Sequence, residues 1–380
     1  MNCIEYPFDE VVTLFDKQRV PLSSMDRAKR QGKYRYYGAQ GIIDYIDDYI
    51  FDGEYLLLAE DGENLKSNKQ NLAQLVDGKF WVNNHAHILR TKRICRLRYF
   101  YYWINSKNMT EYVTGSAQPK LSQSSLKKMV IPLPSLEVQD KILGVIIPID
   151  EKIKENARIN KNLEAQAQAY FIDRFIANAD PTWSQGTLSD LGTVVGGGTP
   201  SKKHPEYYSE HGISWITPKD LSVDKSKFIS HGENDISDIG FSNSSATKMP
   251  KGTVLFSSRA PIGYIAIALN VVTTNQGFKS VIPNTNVGTA YIYFFLKQAL
   301  PIIEGIASGS TFKEISGSGM KSVPAIIPDN ETLHFFSEFC KPLFEQQAML
   351  EAESRKLSGI RNALLPKLMS GEIDVAHIDI

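Results

Sequence analysis

A segment of sixty residues occurs twice in this chain, and this repeat constrains the fold more than any other feature. Residues 115–174 align without a gap on residues 309–368, at an offset of 194 positions. Eleven of the sixty positions are identical, whereas ordinary composition gives roughly one identity in fifteen. A duplicated segment predicts a pseudo-symmetric molecule, and that symmetry limits what the molecule can bind.

The repeats predict two equivalent long helices. Apolar residues recur at spacings of three and four in both copies, with the same heptad phase. Neither helix can bury its apolar seam alone, so we expect the two to pair, and two-fold pseudo-symmetry makes the pairing antiparallel. Asn156 and Asn160 lie on the seam and would fix its register. The predicted seam residues are Ile142, Ile149, Ile153 and Leu163 in the first copy, and Leu343, Leu350, Leu357 and Leu364 in the second.

A proline interrupts the helical pattern at the same repeat position in both copies, Pro148 and Pro342. Proline inside a helix costs about 3 kcal/mol and usually kinks it. We therefore expect an inherited kink in both helices. The alternative is that each proline ends a short first helix.

The repeats divide the chain of 380 residues, which is long enough for two to three domains, into four segments. The two large segments combine β-branched and aromatic runs with glycine-rich turns, which predicts mixed α/β (α+β) lobes. The predicted fold is therefore two pseudo-two-fold-related globular domains separated by a pair of long antiparallel coiled-coil helices. The segments are a first lobe (1–134), a central repeat with a long helix (135–180), a second lobe (181–329), and a distal repeat with a long helix and C-terminal tail (330–380).

The formal net charge of zero conceals a modest partition between lobes and repeats. Residues 1–135 carry 19 Lys/Arg against 15 Asp/Glu, and residues 181–329 carry 12 against 11. The acidic excess lies in the repeats. This distribution permits the lobes to bind a polyanion without requiring it.

Cysteine usage and hydropathy indicate a cytoplasmic protein. Cys3, Cys95 and Cys340 are scattered singly, so the sequence predicts neither a disulfide framework nor a zinc cluster. No run of 18 apolar residues occurs, and the N-terminal residues lack a signal pattern. We expect no membrane association.

The sequence contains no recognisable catalytic or metal motif. Residues 196–200 are glycine-rich but lack the lysine of a phosphate-binding loop, so a β-turn loop is a better interpretation than a nucleotide site. His85 and His87 could suggest zinc, but a third ligand at a supporting spacing is missing. His85 aligns with Gln276 at an offset of 191, and a role in a strand or turn is favoured for this segment.

Several basic and amide side chains are candidates for DNA contact. Residues 90–98 hold five basic residues in nine, which suits phosphate neutralisation, although a solvated strand or helix face is the alternative. Arginine matches guanine, and asparagine or glutamine matches adenine, through paired hydrogen bonds. Such residues could instead shape loops, in which case the base-specific side chains would lie in segments 64–80, 104–114, 201–212 and 222–248. The predicted DNA-binding residues are Lys33, Arg35, Arg90, Lys92, Arg93, Lys120, Lys202, Lys203, Lys219, Arg259, Asn275, Gln276 and Lys313.

Sequence motifs over most of the chain resemble those of specificity subunits of type I restriction–modification systems. Residues 32–39 (GKYRYYGA) resemble a signature of the family's first lobe, with Arg35 at a position that is usually proline. The other matching motifs are residues 53–62 (GEYLLLAEDG), 255–263 (LFSSRAPIG), 274–278 (TNQGF), 309–312 (GSTF) and 364–373 (LLPKLMSGEI).

This resemblance implies a non-catalytic subunit with two target-recognition domains. Each domain would read one half of an asymmetric, bipartite site in double-stranded DNA, and the paired helices would set the gap between the halves. Two modification subunits would bind S-adenosylmethionine and methylate adenine, and restriction subunits would use ATP and Mg²⁺. The chain itself would bind no cofactor. The alternatives are a coiled-coil scaffold for protein partners and a self-sufficient DNA-modifying enzyme.

Overall fold

The computed structural model describes residues 2–67, 70–115, 118–309 and 313–375. The chain forms two compact units. Unit 1 comprises the residues up to Ile153 together with those from Lys356 onward, and unit 2 is Lys154–Arg355. None of the helices in the described ranges is both long and apolar enough to cross a lipid bilayer.

In the described residues of unit 1, ten strands and five short α-helices precede the first long helix. The strands are β1 (Ile4–Pro7), β2 (Val12–Leu14), β3 (Gln31–Gly38), β4 (Gly41–Ile46), β5 (Phe51–Asp52), β6 (Tyr55–Ala59), β7 (Ala73–Val76), β8 (Lys79–Val82), β9 (Ala86–Thr91) and β10 (Val130–Leu133). The helices are α1 (Phe8–Val11), α2 (Ser24–Lys29), α3 (Asn64–Ser67), α4 (Leu97–Ser106) and α5 (Gln123–Leu126).

Two long helices follow the lobes, and unit 2 supplies the remaining elements. The first long helix is α6 (Leu136–Ile172), extended by a π-helical turn (Asp173–Ala177), and the second is α12 (Asn330–Ser370). The strands of unit 2 are β11 (Ser184–Thr187), β12 (Gly192–Gly196), β13 (Tyr208–Ser209), β14 (Ile213–Ile216), β15 (Phe228–Ile229), β16 (Asn234–Ile236), β17 (Val254–Ser258), β18 (Ile262–Ala268), β19 (Thr273–Thr274), β20 (Lys279–Pro283) and β21 (Pro324–Ile327). Its helices are α7 (Leu188–Leu191), α8 (Pro218–Val223), α9 (Asp238–Ser242), α10 (Thr289–Ile306) and α11 (Gly317–Lys321).

The two units share the central strand order of their sheets but differ at the sheet edges, where β5 of unit 1 and β13 and β15 of unit 2 have no counterpart. In each, the first and last strands of the lobe form an antiparallel ribbon, β1 with β10 and β11 with β21. The larger sheets run β2-β9-β6-β7 in unit 1 and β12-β20-β17-β18-β15 in unit 2. The third sheets, β4-β3-β8-β5 and β13-β16-β14-β19, each contain one parallel pair, β3 with β8 and β14 with β19. The predicted mixed α/β fold with two related lobes is confirmed.

The core of each unit forms where a lobe helix packs between its larger sheet and the long helices. In unit 1, Phe100 of α4 is fully buried, and its cluster includes Ile142 of α6 and Leu368 of α12. In unit 2, α10 packs in the same cluster as Phe171 of α6 and Phe336 of α12. Aromatic side chains bury large areas, so these clusters fix each lobe on its part of the helix pair.

Contacts within each unit show that the long helices run antiparallel. In unit 1, Arg361 donates to Asp150 at 2.8 Å. In unit 2, Asn156 donates to Glu353 at 2.8 Å and Gln347 donates to the Asn160 carbonyl at 3.1 Å, so the direction is set within that unit. Rising residue numbers on α6 therefore meet falling numbers on α12, as the seam pattern predicts. Of the predicted seam residues, Ile142 and Leu163 are buried and the other six are half-buried.

Both long helices continue through their prolines. Pro148 lies inside Leu136–Ile172 and Pro342 inside Asn330–Ser370, and both side chains are exposed. The alternative in which each proline ends a short helix is therefore wrong. An exposed position tolerates proline because water can bond the carbonyl group that loses its helical partner.

The repeat conserves residues that start helices. Ser122 accepts a hydrogen bond from the Ser125 amide, and Ser316, its equivalent at an offset of 194, accepts one from the Gly319 amide. Glu137 and Glu331 both lie in the first turn of a long helix, where a carboxylate is favoured by the helix dipole.

Candidate nucleic-acid interface

A cleft in unit 2 collects predicted DNA contacts from loops that are far apart in the sequence. Its volume is about 670 Å³, and the ends of the parallel strands β14 and β19 contribute to its wall. Its lining residues are Thr199, Lys202, Pro205, Tyr208, Trp215, Thr217, Lys219, Asp220, Glu233, Asn234, Asn275 and Gln276. Four predicted residues, Lys202, Lys219, Asn275 and Gln276, therefore share one site.

Buried backbone contacts shape this cleft. Gly197 lies so close to the end of β19 that a Cβ atom there would be 2.0 Å from the Asn275 carbonyl oxygen. Gly198 donates to the Thr274 carbonyl at 2.8 Å. The glycine-rich segment therefore permits close backbone approach and holds the β12–β13 loop against the turn that carries Asn275.

The polar side chains of the cleft differ in whether they already bond to other groups of the protein. Lys219 pairs with Glu233 at 2.6 Å, and both are exposed. Asn275 Oδ1 accepts from the Gly277 amide at 2.9 Å and thereby shapes the turn. Gln276 is exposed, and its Oε1 accepts from the Thr199 hydroxyl, which leaves its amide NH₂ available.

The other predicted residues of unit 2 do not line the cleft. Lys203 is exposed. Arg259 pairs with Glu314 at 3.3 Å, and Lys279 approaches the same carboxylate at 3.5 Å. Lys313 precedes Glu314 and is exposed. Arg259, Lys279 and Lys313 therefore form a second basic group around Glu314, apart from the cleft.

In unit 1, Lys33 and Arg35 lie on β3 beside aromatic rings. The ammonium of Lys33 lies 5.3 Å from the Tyr34 ring centroid, and Tyr34 packs on Tyr49 at 5.1 Å. Arg35 donates to the Asp77 carbonyl and lies 5.7 Å from the Tyr37 ring. Lys33 is exposed and Arg35 is half-buried.

The basic stretch at residues 90–98 is largely engaged within the protein. Arg90 donates to the Glu54 carbonyl at 2.9 Å and stacks 3.8 Å from the Tyr55 ring. Lys92 donates to the Asp9 carbonyl. Arg96 binds both carboxylate oxygens of Asp140 on α6, at 2.8 and 2.7 Å.

Arg93 differs from its neighbours because it is exposed and has no ion-pair or hydrogen-bond partner among the described residues. The structure therefore places predominantly structural contacts in this stretch. Arg93 is the member best placed for a phosphate.

Three candidate metal ligands meet in unit 1, where the sequence offered no third ligand for His87. Single ligand atoms of Asp16, Glu60 and His87 lie within 4.8 Å of one another. Arg19 already binds Glu60 at 2.7 Å, and Lys120 binds it at 3.2 Å. These cations neutralise the site, so its chemistry suits a buried ion-pair network better than a metal.

The same turn follows the second parallel strand of both units. The backbone N–H of Asn83 donates to the Tyr37 carbonyl at 3.0 Å, and the side-chain Oδ1 of Asn83 accepts from the backbone N–H of His85 at 2.8 Å. Asn275 repeats both bonds, to the Ile216 carbonyl at 3.0 Å and from the Gly277 amide at 2.9 Å.

The structural offset between these turns is therefore 192. The counterpart of Gln276 is Asn84, so the alignment of Gln276 with His85 at an offset of 191 is wrong by one residue. Asn84 is not among the residues predicted from the sequence. An asparagine at the first position of both turns was the signal that could have revealed it.

Comparison with known proteins supports the resemblance. The type I restriction modification DNA specificity domain matches twice, over residues 5–165 and 181–356. The type I restriction enzyme MjaIX specificity subunit of Methanocaldococcus jannaschii is 38% identical over 190 residues, which are 48% of this chain and 44% of that protein. The chain thus spans less than half of that relative. The type I restriction enzyme HindI specificity subunit of Haemophilus influenzae is 24% identical, with coverage of 88% and 87%.

A solved structure shows the same fold. The crystal structure of the S subunit of a type I restriction–modification system from M. genitalium superposes with a TM-score of 0.63 at 17% sequence identity, covering 97% of this chain and 96% of that one. Two family matches cover most of the chain, and they coincide with two lobes that share a central strand order. The protein therefore belongs to the family of type I restriction–modification DNA specificity domains.

Proposed function

We propose that this chain is the DNA specificity subunit of a type I restriction–modification complex and reads a bipartite site in double-stranded DNA, one half per lobe. The observation that carries the proposal is the repeated topology: the central strand order of the sheets and one turn occur in both units, with different exposed side chains. Related but unequal readers suit two unequal half-sites. As a family member, the chain is a recognition subunit and not an enzyme.

DNA contacts in this proposal come from two kinds of side chain. Exposed cations bind phosphates, and the amides of the unit 2 cleft face base edges. Lys202, Lys219 and Gln276 support this division because they share one cleft. In unit 1, Lys33, Arg93 and Lys120 are the exposed cations of the predicted set that fit the phosphate role.

The helix pair sets the gap between half-sites and docks two modification subunits. Continuous helices of 37 and 41 residues are stiff at about 1.5 Å per residue. S-adenosylmethionine would bind the modification subunits, and ATP with Mg²⁺ would serve the restriction subunits that join them.

The test is a change of spacer length. Residues 154–160 of α6 face residues 349–355 of α12, and removing both heptads shortens the pair by about 10 Å, which is about three base pairs. Methylation by the complex reconstituted with modification subunits is then mapped on random DNA. We expect both half-sites to be kept and their gap to change.

A length-preserving variant, Asn156→Leu with Asn160→Leu, is the matched control and should keep the original gap. An unchanged gap in the shortened protein would refute the spacer role. A wild-type complex that methylates no bipartite sequence would refute the proposed function itself.

A further inference from the structure

A buried ion-pair network in unit 1 lies directly beneath the turn at residues 83–85. His87 is fully buried, and its Nδ1 and Nε2 lie 2.6 Å from Asp16 Oδ2 and 2.6 Å from the Leu121 carbonyl oxygen. Asp16 also accepts from the Ile88 amide at 2.8 Å and from Gln123 at 2.6 Å. Side chains and backbone from three segments therefore meet at one buried point.

The charges in this network follow from its hydrogen bonds. Burial opposes ionisation of Asp16, but hydrogen bonding and charge from His87, the Ile88 amide and Arg19 outweigh it and hold the Asp16 pKa below its ordinary value. An ionised carboxylate and a carbonyl only accept hydrogen bonds. His87 therefore donates from both ring nitrogens and cross-links β9 to the loop before α5.

Arg19 links this network to the turn. Its guanidinium donates to the Asn84 carbonyl at 3.3 Å and to the Ala86 carbonyl at 2.9 Å. It also binds Glu60 at 2.7 Å. The backbone on both sides of His85 is thus held by a half-buried arginine, which pre-organises the turn before any ligand arrives.

The side chains at the tip of the turn point outward from this rigid base. Asn84 is exposed, and its amide has no hydrogen-bond partner among the described residues. Beside it, His85 donates from Nδ1 to Asp61 at 2.7 Å, and Lys120 is 55% exposed. An unengaged amide with a nearby cation suits a base edge with an adjacent phosphate.

The equivalent turn in unit 2 has the same design. Gln276 occupies the position of Asn84 and is exposed, and the amide of the next residue is bound by Asn275 Oδ1 at 2.9 Å. Unlike Asn84, Gln276 already accepts one hydrogen bond at Oε1, from the Thr199 hydroxyl, which leaves its NH₂ and the second lone pair of Oε1 for a ligand. Gly197 and Gly198 hold that turn from the other side by close backbone contact. Two rigid turns of identical hydrogen bonding therefore each present one carboxamide.

We propose that this turn is a base-reading element in both units, and that Asn84 and Gln276 each recognise one adenine, one in each half-site. A carboxamide can donate to adenine N7 and accept from adenine N6 in the major groove. Asn84 is thus a specificity-determining residue, and Arg19 is a positioning residue that acts through the turn. This inference rests on the proposed function.

The test compares base preferences of full-length variants. Wild type, Asn84→Ala, Asn84→Gln and Gln276→Ala, each assembled with modification subunits, select binders from a random duplex pool that is then sequenced. Asn84→Ala should lose about five- to hundred-fold preference for adenine at one position of one half-site and leave the other half-site unchanged. Gln276→Ala should lose the adenine preference at one position of the other half-site and leave the first half-site unchanged.

Asn84→Gln retains the carboxamide and should keep adenine preferred, an outcome that a merely structural role would not produce. Unchanged preferences in both alanine variants would overturn the inference while leaving the proposed function intact. Loss of preference at many positions in both half-sites would overturn it as well. Failure of wild type to select any bipartite sequence would instead count against the proposed function.

Discussion

Lys227 provides a measurable link between burial and stability in unit 2. It is 8% exposed. Its Nζ lies 2.7 Å from Glu164 on α6, 3.0 Å from Gln347 on α12 and 3.3 Å from the Phe344 ring centroid. Burial lowers its pKa from 10.5 to about 8, because the cost of removing the ammonium from water exceeds the attraction of Glu164.

The direction of the pH effect follows from this lowered pKa. Between the pKa of about 8 in the folded protein and 10.5 in the unfolded chain, the unfolded chain binds more protons, so stability rises with pH. The penalty is fully present below the folded value and is relieved as pH rises. With 1.36 kcal/mol for each pKa unit, Lys227 adds about 2 kcal/mol to the free energy of unfolding between about pH 7 and about pH 9.5.

Lys227→Met removes this titration, and Lys225→Met is the matched control because Lys225 is exposed two residues away. Urea unfolding of the full chain, followed by tryptophan fluorescence at the two pH values, gives the free energy of unfolding of each protein. The other ionisable groups contribute the same pH dependence to the free energy of unfolding in wild type and in both variants. Wild type and the control should therefore gain about 2 kcal/mol relative to Lys227→Met as pH rises. Equal pH dependence in all three proteins would refute the reasoning.

Three further predictions concern stability and DNA binding. Asn156→Leu should raise the free energy of unfolding by about 1 kcal/mol. The reason is that Asn156 is fully buried and its Oδ1 has no hydrogen-bond partner in the described part of the chain. Destabilisation in urea would contradict this prediction. Asp16→Ala should lower the free energy of unfolding by about 3–5 kcal/mol, because it removes the buried carboxylate that accepts from His87, the Ile88 amide and Gln123. A melting temperature equal to that of wild type would oppose that account. Arg93→Ala should reduce the slope of log DNA affinity against log salt concentration by about 0.9. Arg96→Ala is the control and should leave that slope unchanged, because Arg96 pairs with Asp140. Identical slopes for wild type and Arg93→Ala in fluorescence-anisotropy titrations would exclude Arg93 from the interface.

The periodic parts of the fold were predictable from the sequence. The heptad pattern predicted both long helices and their antiparallel contacts, because the apolar seam recurs over many turns and dominates local preferences. The β-branched and aromatic runs of the two large segments form strands, among them β6, β17 and β18. Glycine and proline positions marked the loops between them.

The partners of charged side chains were not predictable. Five basic residues at 90–98 suggested a phosphate surface, but Arg96 binds Asp140, 44 positions away. Ion pairs between residues far apart in the sequence leave no local pattern. A run of basic residues that pairs with a long helix therefore has the same sequence appearance as one that binds DNA. The one-residue error in aligning His85 with Gln276 has a similar cause, since hydrogen bonds rather than identities define the equivalent turn.

The assignment of chain segments to units has a consequence for synthesis. Unit 2 is one contiguous stretch, whereas the core of unit 1 includes Leu368 and Val375, both almost fully buried. During translation the first lobe therefore emerges early yet waits for side chains made more than two hundred residues later. Although its sequence starts first, we expect unit 1 to reach its native core after unit 2 and to be the portion that chaperones protect on the ribosome.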